Sequence, residues 1–299
     1  HNIGSIYCEL GKYEEGIEYY DRAIQIKPDI AAYFISKAYA LQPLKQIDKA
    51  ILSYDSALKI NNEHKYLFSE RFNAKNTICD WSNFENESNW IESQLKIGNK
   101  ISVPLVVAAL LDDPLSQKKA ATIYANDLYP FNNVLGAIKK YPKNEKIKIG
   151  YFSGDFTEHP VAYLVAELFE MHDKSKFELF AFSTSNKINS GIRERIENSF
   201  DEFIDVAQMA DKGIANLARE KRIDIAIDLG GYTKNSRVSI FAMRAAPIQI
   251  NFLGYPATMG SSYIDYNIAD RFVIPNELQK YYSEKIIYLP NCYQPNESK

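Results

Sequence analysis

The sequence predicts two architectures in one chain: an all-α repeat array followed by an α/β lobe on a mostly parallel sheet. Two observations predict it. Tyr20-Asp21-Arg22-Ala23-Ile24-Gln25-Ile26 recurs as Tyr54-Asp55-Ser56-Ala57-Leu58-Lys59-Ile60, an offset of 34 residues, and self-similarity at a fixed period marks stacked helical repeats. From Lys146 onward, short β-branched and aromatic runs alternate with helical patterns, which is the mark of βαβ units. At 299 residues the chain also exceeds the roughly 100–200 residues of one domain.

The 34-residue period, with Leu10-Gly11-Lys12-Tyr13 at a helix-to-helix turn and Pro28 after the second helix, resembles the tetratricopeptide repeat (TPR), a pair of antiparallel helices. Gly16, Ala23, Ala50 and Ala57 would let helices approach closely. Tyr7, Tyr19, Tyr20, Ile24 and Tyr54 would fill the stripe between them as core rather than as ligand contacts. The pattern places His1 inside a first helix, so the array is expected to begin upstream, as a solenoid generally needs about three or more units.

Residues 66–125 read as further helices: Phe68, Phe72, Ile78, Trp81 and Phe84 in one group, Trp90, Ile91 and Leu95 in a second, and 106–111 in a third, with a stop at Asp112-Asp113-Pro114. Residues 129–145 are rich in turn formers and charge and form the linker candidate. The expected organisation is therefore a TPR-like α-solenoid over 1–128, a linker over 129–145 and a Rossmann-like lobe over 146–299.

In that lobe the predicted strands are 146–152, 177–182, 203–206, 223–229, 248–253, 264–269 and 285–288, and the predicted helices are 161–172, 192–199, 211–220, 236–243 and 276–282. Ligands of open parallel sheets collect at the carboxyl ends of the strands, where loops and helix N-termini present donors. Three loops there are longer than plain turns: 153–160 after the first strand, 230–234 after the fourth and 254–260 after the fifth. None carries G-x-G-x-x-G or a phosphate loop of the form G-x-x-x-x-G-K-[ST], which argues against NAD enzymes and P-loop NTPases.

His159 is the candidate catalytic residue. Pro160 is favoured as a first helical residue, so His159 would stand beside the positive end of a helix, whose field keeps an imidazole neutral and able to accept a proton. It would equally serve as a plain helix cap. His1, His64 and His172 have structural explanations. Gly230, Gly231, Gly254 and Gly260 could line a ligand or simply supply turns with positive φ.

Other classes lose support. Net charge is −3, without the cationic surplus of a sequence-independent nucleic-acid binder. Cys8, Cys79 and Cys292 form no C-x-x-C pair, which points away from disulfides and zinc and toward a reducing compartment. The longest apolar stretch, around 103–111, is interrupted by Pro104 and falls short of the roughly 20 residues of a membrane span. No G-x-S-x-G elbow or H-E-x-x-H helix supports a hydrolase.

Taken together, Cys79-Asp80-Trp81-Ser82-Asn83-Phe84, Ile149-Gly150-Tyr151-Phe152-Ser153-Gly154-Asp155-Phe156 with His159-Pro160, Asp228-Leu229-Gly230-Gly231-Tyr232-Thr233-Lys234, Ala245-Ala246-Pro247-Ile248-Gln249, Leu253-Gly254-Tyr255-Pro256-Ala257-Thr258-Met259-Gly260 and Tyr281-Tyr282-Ser283-Glu284-Lys285 resemble the O-GlcNAc transferase and SPINDLY-type family, glycosyltransferase family 41, in its bacterial TPR-containing form. The resemblance implies inverting transfer of a sugar, with UDP-GlcNAc as donor, to Ser or Thr of proteins. It implies a GT-B scaffold of two lobes and neither metal nor cofactor. By resemblance, His159 lies in the cleft, and Tyr232, Thr233, Gly254, Tyr255, Pro256, Thr258 and Gly260 line the sugar or acceptor side. Protein or peptide acceptors would reach the site through the TPR groove in the cytoplasm, with no nucleic acid and no membrane involved.

Two positions depart from the family pattern. Gly230 stands where the family usually has Asn, and Ala257 where it commonly has Gly; the second change would exclude positive φ there. The second lobe, which holds most nucleotide contacts in this fold, is expected beyond Lys299, so the 299 residues alone are expected to transfer no sugar and to bind UDP weakly or not at all. Two rival readings stay open: a TPR interaction scaffold with a degenerate lobe, and a protein O-fucosyltransferase using GDP-fucose.

Overall fold

The computed structural model describes residues 1–186 and 188–297. The chain divides into two compact units, His1–Asp112 and Asp113–Lys299.

In the first unit α1 (Asn2–Glu9), α2 (Tyr13–Ile26), α3 (Ala31–Leu41), α4 (Ile47–Ile60) and α5 (Leu67–Thr77) pack each against the next. The repeat period is visible in the helices themselves, α2 and α4 starting at Tyr13 and Ile47. Gly16 is where the first pair closes: a Cβ there would lie 2.3 Å from Cys8 Sγ. Ala38, Ala50 and Ala57 do the same for the second pair, around a fully buried Tyr54 whose hydroxyl accepts from Gln42 Nε2 at 2.6 Å. The aromatic group expected in one helix is shared out. Phe68 and Phe72 lie on α5, and Ile78 and Trp81 lie in the turn after it. Phe84 opens α6 (Phe84–Lys96), because Cys79 adopts a positive φ of 58° that ends the helical path. α7 (Pro104–Leu110) completes the unit.

The second unit begins earlier than expected. α8 (Pro114–Leu128), expected within the solenoid, packs on the α/β lobe: Lys118 Nζ donates to the carbonyls of Lys280 and Tyr282, and the backbone at Ala121 and Thr122 abuts Gly260. Its cap is Asp113, whose carboxylate accepts from the N–H groups of Leu115 and Ser116, so the expected stop doubles as a helix start. Nor does 129–145 hang free as a linker. Tyr129 O accepts from Tyr263 Oη, Asn132 N donates to Ala242 O, and Tyr141 and Asn144 both donate to the Asp224 carboxylate.

The sheet follows the predicted rhythm. β1 (Ile147–Ser153), β2 (Phe177–Ser183), β3 (Glu202–Asp205), β4 (Ile225–Asp228), β5 (Ile248–Asn251), β6 (Tyr266–Ala269) and β7 (Lys285–Tyr288) are all parallel in the order β3-β2-β1-β4-β5-β6-β7. The connections run through α9 (Pro160–Glu170), α10 (Gly191–Ser199), α11 (Asp211–Glu220) and the short α12 (Ser239–Ala242); the segment expected as a last helix is a 3₁₀ turn, Asn276–Tyr281. Both faces are apolar because both are covered. Ile149, Tyr151, Leu179 and Ile227 pack toward Val165, Phe169 and Ile196, whereas Phe152 stacks on Phe182 and meets Phe241 edge-on. The strand order reverses between β1 and β4, where a doubly wound sheet opens a crevice beyond its carboxyl edge.

Among the described residues no helix is long and apolar enough to cross a membrane, and no group of three or more His, Cys, Asp or Glu is placed to hold a metal ion.

Candidate active site

Three loops leave neighbouring strands at this reversal. β1 pairs with β4 through Phe152 and Asp228, and β4 with β5 through Asp228 and Asn251, so 153–160, 230–234 and 254–260 emerge side by side. The first two frame a small pocket whose lining includes Ser153, Gly154, Thr184, Asp228, Gly230 and Ser236. The last two interlock. A Cβ on Gly254 would fall 2.0 Å from Leu229 O, and one on Gly231 would fall 2.4 Å from Tyr255 Cβ. Gly231 and Gly260 have positive φ, whereas Gly230 and Gly254 do not; Gly254 owes its place to close approach of the Leu229 backbone rather than to handedness.

His159 caps α9. Its backbone is extended, Pro160 follows as the first helical residue, and Nδ1 accepts from Val161 N at 3.3 Å. While Nδ1 holds that N–H it carries no proton, so the ring proton of the neutral imidazole sits on Nε2, which then donates. Asp155 Oδ2 lies 3.7 Å from Nδ1, beyond hydrogen-bond reach, and the ring remains 43% exposed. The cap and the functional candidate are one side chain. As arranged it offers a proton outward; to accept one at Nε2 it would have to give up the cap.

The other predicted residues separate by exposure. Thr233 and Gly254 are part-exposed and Pro256 is exposed, whereas Tyr232, Tyr255, Thr258 and Gly260 are buried. Tyr232 Oη donates to Met259 O at 2.6 Å and its ring meets those of Tyr124, Tyr129 and Tyr255. Thr258 Oγ1 donates to Glu284 Oε2 and accepts from the N–H groups of Gly260 and Ser283. These four set the shape of the loops that the exposed residues present.

Three chemically important groups escaped sequence reasoning. Asp228, at the end of β4, is 4% exposed. Burial pushes its carboxyl from the ordinary 3.8 up to about 6, against the N–H groups of Gly230 and Gly231 that donate to Oδ1. Glu284 is buried and its Oε1 accepts from Met259 N at 2.7 Å; burial raises its carboxyl too. Arg193 is 1% exposed, lies over the Phe203 ring, and binds Glu197, Asp205, Ser183 and the carbonyl of Phe156, tying the β1 loop to the ends of β2 and β3. Asp228 and Glu284 stand inside motifs already quoted above, but an acidic letter carries no mark of burial.

The departures at Gly230 and Ala257 are accommodated. Gly230 N still binds Asp228, and Ala257 is buried without adopting a positive φ.

The profile of glycosyl transferase family 41 matches residues 115–296, beginning with α8, and tetratricopeptide repeat profiles match 1–30 and 31–64. A protein of Arabidopsis thaliana named probable UDP-N-acetylglucosamine–peptide N-acetylglucosaminyltransferase is 36% identical over 237 residues, covering 74% of this chain and 24% of its own length. A UDP-N-acetylglucosamine–peptide N-acetylglucosaminyltransferase of Caenorhabditis elegans is 37% identical over 150 residues, covering 50% of this chain and 13% of its own. The chain thus spans a quarter or less of the length of these two relatives. The fold matches that of a mutant O-GlcNAc transferase from Thermobaculum terrenum at a TM-score of 0.68 and 23% identity, over 99% of this chain and 51% of that one. With the family profile covering more than half of its residues, the chain belongs to glycosyl transferase family 41.

Proposed function

We propose that this chain supplies the sheet edge on which a protein O-glycosyltransferase works, moving N-acetylglucosamine from UDP-GlcNAc to Ser or Thr hydroxyls with inversion. The hydroxyl oxygen bonds to the anomeric carbon, the bond from that carbon to the diphosphate breaks with its electron pair going to the departing diphosphate, and the hydroxyl proton passes to an oxygen of that diphosphate. The observation that carries the reading is the reversal of strand order between β1 and β4, topped by an imidazole at a helix N-terminus and a buried carboxyl of raised pKa. His159 serves the diphosphate or the sugar as a donor through Nε2, at the positive end of α9. Thr233, Gly254 and Pro256 touch substrate; Tyr232, Tyr255, Thr258 and Gly260 hold the loop shapes. The reaction needs no metal or organic cofactor. Acceptor proteins enter along the TPR groove, and the protein works in the cytoplasm.

The experiment is a transfer assay on the protein as its gene encodes it, with radiolabelled UDP-GlcNAc and GDP-fucose in parallel against a mixture of cytosolic proteins. Label incorporated from UDP-GlcNAc alone is expected. Label from GDP-fucose alone reassigns the donor, and label from neither leaves an interaction scaffold.

A further inference from the structure

At the opposite end of the second unit's sheet lies a cavity of about 450 Å³, within the range of small-molecule sites, between the 135–141 segment and the C-terminal end of α11. Its lining is strongly one-signed: Lys139, Lys140, Arg219 and Arg222 against the single carboxylate of Glu220, in a protein whose net charge is −3. The last turn of a helix favours cations, which accounts for Arg219 but not for two lysines brought from another segment.

Arg219 is a fixed charge that no carboxylate pairs with among the described residues. Its donors go to the carbonyls of Leu135, Gly136, Met243 and Arg244 at 2.9 Å each, and burial draws its pKa below the usual guanidinium value. By contrast Lys221, one residue outside the lining, is already paired with Glu202. Lys139 and Lys140 are exposed and make no ion pair among the described residues. Arg222 lies 6.0 Å from the centre of the Tyr141 ring, and that ring, with Leu135 and Ile138, gives the cavity an apolar wall. Cations that repel one another around an uncompensated guanidinium gain from an incoming anion, and charge-assisted bonds to phosphate are the strong kind.

We propose that this cavity binds a phosphate-bearing small molecule, its phosphates between Lys139, Lys140 and Arg222 and any ring or chain against Tyr141. The source of the phosphate, a soluble metabolite or a lipid headgroup, is read from the arms of the test. Isothermal titration of the chain would use pyrophosphate and ADP; sedimentation would use phosphatidylcholine vesicles with and without phosphatidylinositol 4-phosphate. Binding in either arm is expected, weakening with added salt and about tenfold or more in Lys139→Ala/Lys140→Ala. The circular dichroism spectrum should be unchanged, because neither lysine holds the fold. Arg222→Gln is the second variant, with the same loss expected. Ligand should slow hydrogen exchange over 135–141 and 216–222. Absence of binding in both arms, equal binding by both variants, or protection confined to 153–160 would overturn the assignment.

Discussion

Asp228 and Asn251 stand side by side on β4 and β5, and each leaves one buried oxygen, Oδ2 and Oδ1 respectively, without a hydrogen-bond partner among the described residues. Folded proteins rarely tolerate such pairs in the interior, because each orphan forfeits its hydration. Here they sit under the loop that the family reading places against substrate.

The folded carboxyl of Asp228 titrates at about 6 against an ordinary 3.8, so between those values the folded state holds more protons than the unfolded one, and stability falls as pH rises through that window. The difference corresponds to about 3 kcal/mol. Asp228→Asn keeps an acceptor for Gly230 and Gly231 and removes the charge. Urea unfolding at pH 4 and pH 7.5 should therefore show the variant gaining on the parent by about 2–3 kcal/mol over that span. A pH-independent difference would contradict the burial assigned to this group.

Gly260 should be nearly irreplaceable. Its φ is +60°, and a Cβ would lie 2.4 Å from Thr122 N and 2.5 Å from Ala121 C, both of them backbone of α8. Gly260→Ala is expected to cost about 4 kcal/mol or more. Gly136→Ala, with φ +66° but open space around it, should cost only about 1–3 kcal/mol. Thermal unfolding of both variants checks the contrast, and equal losses would mean that α8 does not press on this loop.

Glu284 anchors the 254–260 loop through Thr258 and Met259. Glu284→Ala strands two buried donors, at about 2–4 kcal/mol in all, and should speed proteolytic cleavage within the loop. Glu284→Gln, which keeps an acceptor, should lie closer to the parent. Identical cleavage rates in all three proteins would remove the anchoring role.

The sheet was legible because its strands are written as β-branched and aromatic runs: Ile147 to Ser153 and Phe177 to Ser183 could hardly be read otherwise. The allegiance of α8 was not legible, since helical periodicity says that Pro114–Leu128 is a helix but not which neighbour covers it. The contacts that decide, such as Lys118 with Lys280 and Thr122 with Gly260, join residues far apart in sequence. At the site, His159 was readable as a helix cap from Pro160. The burial of Tyr232, Tyr255 and Thr258, and the raised carboxyl of Asp228, were not. Those depend on what the fold stacks above a strand end, and the same letters would serve an exposed loop equally well.

The proposed transfer takes place on the edge above β1 and β4. Its most direct test is kcat/KM for UDP-GlcNAc-dependent transfer by the gene-encoded protein and its His159→Ala variant, with urea unfolding to confirm that both are folded. A loss of about a hundredfold or more with an unfolding midpoint lowered only by a lost helix cap, about 1 kcal/mol, is the predicted result. Transfer within about twofold of the parent would place the reaction elsewhere and contradict the account.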